Sequence, residues 1–131
     1  MNDEREIGLA MSVDLKKARI RLFKTLLHSL GEPDYIYILI NPKKKIVAIK
    51  ALAAADSKKY ACRINRRWMF TDNSVELYSH GFVQKLCETV QVSGDATYQL
   101  AARVIPEERL AVMSLMTMRR ETPELKQEVQ L

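Results

Sequence analysis

Lysines and arginines crowd the first half of this 131-residue chain, and their characteristic chemistry is the neutralisation of phosphates. Residues 1–71 carry 15 lysines and arginines against 7 acids, a net charge of +8. Residues 72–131 carry 6 against 9, a net charge of −3. Because arginine also reads guanine edges in duplex DNA, the first half is the candidate nucleic-acid-binding surface. The candidate residues are Arg19, Arg21, Lys24, Lys43, Lys44, Lys45, Arg63, Arg66 and Arg67. The alternative is a solvated strand face whose charges protect sheet edges.

No residue pattern in the sequence indicates catalysis. His28 and His80 have no carboxylate or cysteine at ligand spacing. Cys62 and Cys87 are isolated, which favours reduced, buried thiols over a disulfide or a metal site. The four glycines never form a phosphate-binding loop. We therefore expect no enzyme, no catalytic residue, no metal and no cofactor.

Two further features bear on partners and location. Trp68 follows two arginines and could stack on a base, although a core tryptophan is the favoured interpretation. No apolar run approaches the roughly 20 residues of a membrane span, and the acidic start lacks a secretory signal. The expected protein is cytoplasmic and does not contact a membrane.

The elements that must position these residues occur twice. Residues 40–49 read I-N-P-K-K-K-I-V-A-I and residues 104–113 read V-I-P-E-E-R-L-A-V-M. Each has an apolar residue, X-Pro, three charged residues and an apolar run, and the preceding apolar positions match as well. The chain is therefore expected to be a single domain, 1–131, with internal repeats at 7–52 and 60–118, a linker over 53–59 and a flexible tail over 119–131.

Each repeat reads as ββαββ. Alternating apolar residues predict strands over 7–15 and 60–70, in which Ile7, Leu9, Met11, Val13 and Leu15 share the buried face of the first. Helices are predicted over residues 24–30 and from residue 79 or 80 to residue 90. The hairpin after each helix is expected to turn at its X-Pro pair. The expected core includes Leu26, Leu30, Ile38, Leu86 and Val112.

This pattern of strand, short helix and hairpin resembles the AbrB-type swapped-hairpin family of bacterial DNA-binding regulators. The resemblance is carried by residues 19–23, by Leu26 to Gly31, by Pro33-Asp34 and the strands after it, and by Gly94-Asp95 in the second copy. Residues 30–49 are also similar to small uncharacterised bacterial and phage proteins reading L-G-x-P-x-Y-V-x-x-L-I-N-x-x-K-K-x-I-A-I.

The resemblance implies an α+β, mostly β fold in which tandem ββαββ repeats form an intramolecular pseudo-dimeric swapped-hairpin barrel. It implies a small transcription-regulatory protein that contacts double-stranded DNA through its basic first repeat. Arg19 matches the family's basic position on the second strand, and Lys24 stands near the helix start. The alternative is a non-enzymatic protein-interaction module, or homodimer, that keeps the fold and has lost DNA binding.

Overall fold

The computed structural model describes residues 4–53, 61–69 and 74–121, except the side chains of Arg66 and Met69. These residues are mostly β, with two α-helices and one curled antiparallel sheet. The strands are β1 (Arg5–Asp14), β2 (Arg19–Phe23), β3 (Tyr35–Asn41), β4 (Ile46–Leu52), β5 (Cys62–Arg63), β6 (Ser74–Tyr78), β7 (Thr97–Ile105), β8 (Leu110–Ser114) and β9 (Arg119–Arg120), and the helices are α1 (Lys24–Ser29) and α2 (His80–Val90).

The strand order in the sheet is β5-β3-β4-β8-β7-β1-β2-β6, with β9 also paired to β7. The inward face of this sheet and the buried sides of both helices form one hydrophobic cluster. Leu26, Leu27 and Leu30 reach it from α1 and its C-terminal end, and Val83 and Leu86 reach it from α2. Neither helix is amphipathic over enough turns to be stable alone, so the sheet supplies most of their stability.

The X-Pro turns lie where the sequence predicts them, in two hairpins. Pro42 stands in the turn between β3 and β4, and Pro106 opens a 3-10 helix between β7 and β8. Lys45 and Arg109 end these turns in the left-handed region, at φ 55° and φ 50°. The Ala51 amide donates to the Arg109 carbonyl, and the Leu115 amide donates to the Lys45 carbonyl, both at 2.9 Å. The two turns are therefore held by matching backbone hydrogen bonds.

The hairpins pair with strands from the other half of the chain. Hairpin β3–β4 is flanked by β5 and β8, which follow residue 60. Hairpin β7–β8 is flanked by β1 and β4, which precede residue 53. Strand β2 directly precedes α1 and strand β6 directly precedes α2, and these two strands pair with each other. Each half thus completes the sheet of the other.

The end of α1 depends on this arrangement. Gly31 adopts φ +80°, which stops the helix, and a side chain there would meet the Arg109 guanidinium at 3.4 Å. Arg109 Nε donates to the Leu30 carbonyl at 3.1 Å. A residue of the second hairpin turn therefore satisfies a carbonyl at the C-terminus of the first helix.

Three expectations about faces and elements were wrong. Leu9 is 41% exposed although it was predicted to face the core, because β-bulges beside Gly8 and Ala10 shift the alternation of β1. Val112 faces outward, because Ala111 and Met113 are the buried residues of β8. The strand predicted over 60–70 reduces to β5, followed by a 3-10 helix at Arg66–Met69.

The other expected core residues are confirmed. Leu26, Leu30 and Leu86 are fully buried, and Ile38 packs against the same cluster while half-buried. Residues 54–59 of the expected linker and 122–131 of the expected tail lie outside the described residues. Arg119–Arg120 of that tail forms β9.

Candidate functional site

Arg19 and Arg21 lie side by side on the outward face of β2, where the resemblance implies phosphate contacts. Both point toward carboxylates on neighbouring strands. Arg21 donates to Glu76 Oε1 on β6 at 2.9 Å, and Arg19 lies 3.8 Å from the same oxygen. Arg19 also donates to Asp14 Oδ2 on β1 at 3.2 Å. Two cations thus share two anions within the fold, which leaves this surface close to neutral.

Glu76 shows the electrostatic consequence. The hydrogen bond from Arg21, with the positive charges of Arg19 and Arg21 nearby, holds the pKa of the Glu76 carboxyl below its ordinary value. Stabilisation of the charged form by partners is the cause of such a shift. Glu76 is more than a third exposed, so solvent screens the pairs and each contributes little to stability.

Replacing Glu76 by glutamine is expected to lower the melting temperature at neutral pH and to make little difference in acid. A carboxyl whose pKa is depressed by folding stabilises the protein above its unfolded pKa and loses that effect as pH falls through the folded pKa. The measurement is the melting temperature of both proteins from pH 7 down to pH 3. A difference that persisted unchanged in acid would mean that the carboxylate charge is irrelevant. Glu88→Gln, at an exposed position of α2, is the matched control.

Lys43, Lys44 and Lys45 form a run of three exposed basic residues. They occupy the β3–β4 turn, where the Asn41 side chain accepts from the Lys44 amide at 3.0 Å. This Asx-type turn explains why a short charged segment forms a tight hairpin here. The equivalent turn of hairpin β7–β8 exposes Glu107 and Glu108 instead. The two turns therefore carry opposite charges.

The remaining predicted basic residues lie elsewhere. Arg63 on β5 pairs with Tyr35 at the start of β3, and both line an open cleft together with Asp34. Arg66 and Arg67 follow in the 3-10 helix, where the Arg67 amide donates to Asn65 Oδ1 at 2.9 Å. Lys24 begins α1 and is half-buried.

The structure therefore brings the nine residues together in groups rather than in one patch. Lys43–Lys45 and Arg63 lie at opposite ends of β3, which at about 3.3 Å per residue separates them by roughly 20 Å. Arg19 and Arg21 lie on β2, which four strands separate from β3 along the sheet.

Trp68 is only 2% exposed and packs edge-to-face against His28, with ring centroids 5.0 Å apart. An indole buried in this way offers no free face to a base, so the core interpretation is confirmed. His28 Nδ1 lies 2.8 Å from Glu32 Oε2, four residues along the chain. This histidine therefore bridges α1 and the 3-10 helix.

The outward side of the sheet around β4 and β8 carries a second surface, which the sequence did not reveal. Residues directly opposite in antiparallel strands share a face, and here they align in rows. One row runs Leu39, Ala48, Val112 and Arg103, and the next runs Tyr37, Lys50, Leu110 and Ile105. We call the apolar members of these rows, together with Ile46, the outward apolar face. All of them are half-buried or exposed, and Leu39 is 51% exposed.

Both cysteines are half-buried. Burial raises the pKa of both the Cys62 and the Cys87 thiol, which disfavours the reactive thiolate. Across residues 4–53, 61–69 and 74–121, no three histidine, cysteine or acidic side chains are placed to hold a metal ion. Within the same ranges, neither helix has the length and apolar character needed to cross a membrane.

Comparison with known proteins adds no relative. No protein-family model, no curated protein and no solved structure matches the chain.

Proposed function

We propose that this chain is a non-enzymatic protein-interaction module that binds through the outward apolar face. The observation that carries the proposal is the pair of rows across β3, β4, β8 and β7, which present apolar side chains away from the core. Lys50 interrupts the second row, and its Nζ reaches the glutamate turn, where it donates to the Glu108 carbonyl at 2.9 Å. Arg103 and the two hairpin turns lie around the apolar members. An apolar centre with a polar rim is the usual composition of a protein–protein interface.

The proposal includes the tandem arrangement of the module. Two ββαββ units, 7–52 and 60–118, are related by an approximate two-fold axis and exchange their hairpins. Three observations support it: the pairing of β2 with β6, the flanking of each hairpin by strands of the other half, and the matching hydrogen bonds at Lys45 and Arg109. The axis passes between β4 and β8 near Ala48 and Val112, at the centre of the outward apolar face.

Duplex DNA is the second candidate partner, and the exposed lysines of the β3–β4 turn favour it. Against it stand Arg19 and Arg21, whose charges are shared with Glu76 and Asp14. A DNA phosphate would have to displace these carboxylates to gain either arginine. The groups are also too dispersed to follow one groove as a single continuous patch.

A DNA titration distinguishes the two functions. Replacing Arg19, Arg21 and Lys24 by glutamine is expected to leave duplex affinity within about twofold of wild type, because Arg19 and Arg21 are already paired with Asp14 and Glu76 and so add little to phosphate binding. Fluorescence anisotropy with a labelled duplex, repeated from low to high salt, measures the affinity and its salt slope. Lys16→Gln, Lys17→Gln and Lys85→Gln together form a control of equal charge on exposed positions.

DNA binding through the first repeat predicts a different result. The wild type would then bind tightly at low salt, with a slope of about −0.9 per contacted phosphate. The Arg19, Arg21 and Lys24 variant would lose that binding while the control kept it. This outcome would overturn the interaction-module proposal.

A further inference from the structure

We infer that the partner of the outward apolar face is a second copy of this chain, an inference that rests on the proposed function. The first reason is charge. Lys43–Lys45 lies at the Ile46 end of strand pair β4–β8, and Glu107–Glu108 lies at its Leu110 end. The same face therefore carries a positive turn at one end and a negative turn at the other.

This arrangement is complementary to itself. Two copies can be placed face to face and related by a half-turn about an axis that lies between the faces and is perpendicular to the line joining the lysine turn to the glutamate turn. Each lysine turn then lies over the glutamate turn of the other copy, and the apolar centres overlap. An isologous dimer uses the same patch twice, so each favourable charge contact is formed twice.

The size of the face sets the strength of the association. Four strands at about 4.8 Å spacing and roughly 20 Å of strand length give about 400 Å² of flat surface. A stable interface of standard size buries about 800 Å² on each partner. Even with the turns added, we expect a dimer that dissociates on dilution through the micromolar range.

The apolar part of the dimer is tested by Val112→Lys. Val112 lies at the centre of the face and points away from the core, so lysine is tolerated by the fold but places a charge in the contact. Sedimentation velocity over a concentration series is expected to show a dimer for wild type and a monomer for this variant. Circular dichroism and melting temperature verify that the variant is folded. A folded variant that dimerises like wild type would overturn the inference.

The charged part is tested by reversal and rescue. Changing Lys43, Lys44 and Lys45 to glutamate is expected to weaken dimerisation by about tenfold or more at low salt, since like charges then face each other. Adding Glu107→Lys and Glu108→Lys to that variant restores opposite charges and is expected to bring the affinity back to within about threefold of wild type. The triple control Lys16→Glu, Lys17→Glu and Lys85→Glu changes net charge equally and leaves the affinity unchanged. High salt removes these differences.

Three outcomes contradict the second copy as partner. One is a wild type that remains monomeric up to about 0.5 mM, far above the micromolar range expected here. Another is a result in which the variant carrying both the lysine and the glutamate reversals dimerises more weakly than the variant carrying the lysine reversals alone. In a third, a monomeric wild type binds duplex DNA with steep salt dependence, which overturns the proposed function as well. A monomer indifferent to DNA overturns only the self-association.

Discussion

Truncating Leu30 or Leu86 to alanine is expected to lower the free energy of unfolding by about 2–5 kcal/mol. Both side chains are fully buried in the cluster shared by the two helices and the sheet. The loss combines the burial free energy of the isopropyl group that is removed with the cost of the cavity left behind. Urea denaturation followed by circular dichroism measures it, since a lower midpoint at unchanged slope reports stability alone.

Met116→Ala provides the control for this experiment. Met116 is as large as leucine but 71% exposed, so its truncation is expected to change stability by no more than about 0.5 kcal/mol. If the leucine variants unfolded at the same midpoint as this control, the buried sides of α1 and α2 would be wrongly assigned.

Replacing Trp68 by alanine is the second large effect, a loss of about 3–5 kcal/mol. The indole belongs to the 3-10 helix, is buried, and packs against His28 of α1. Removing it leaves a large cavity at the point where these two elements meet. The measurement is again urea unfolding by circular dichroism, because the variant lacks the only tryptophan of the chain.

Trp68→Phe separates packing from hydrogen bonding. The buried Nε1 atom donates to no described residue, so phenylalanine loses volume but no described hydrogen bond. Its cost is expected to be less than half that of the alanine variant. If phenylalanine proved as damaging as alanine, the stability of this corner would depend on the indole N–H and not on packing alone.

The local elements were predictable because their signals are local. Helix α1 has apolar residues at helical spacing and a glycine at its end, and α2 has Ser79 as an N-cap that accepts from the Phe82 amide. The hairpin turns follow from X-Pro and adjacent polar residues. Each of these features depends on residues within a few positions of one another.

The errors arose where distant residues decide the outcome. The bulges of β1 depend on its pairing with β7, which no alternation pattern of β1 alone can reveal. The outward direction of Val112 follows from its register against Ala48 and Arg103. In a strand that is buried on one face, either of two alternating sets of residues can face the core. A shift of the register by one residue exchanges these two sets.

The candidate site was predictable as a set of charges but not as an arrangement. Arg21 and Glu76 lie 55 residues apart in the chain and directly opposite each other on β2 and β6. Opposite charges at positions that match in the sequence of the two halves are the available signal for their ion pair. Without the pairing of β2 with β6, the arginines appear free to bind phosphate.

The long pairing of β1 with β7 has a consequence for synthesis of the chain. Asp14 faces Thr97 and Arg5 faces Val104, so the longest strand meets its central partner only after more than 80 further residues have been made. At about 5–20 residues per second, that delay is on the order of 4–20 s. Throughout it, one edge of β1 and the apolar residues Met11 and Val13 have no partner from β7. The nascent chain is therefore exposed to chaperones and to aggregation until its last hairpin emerges.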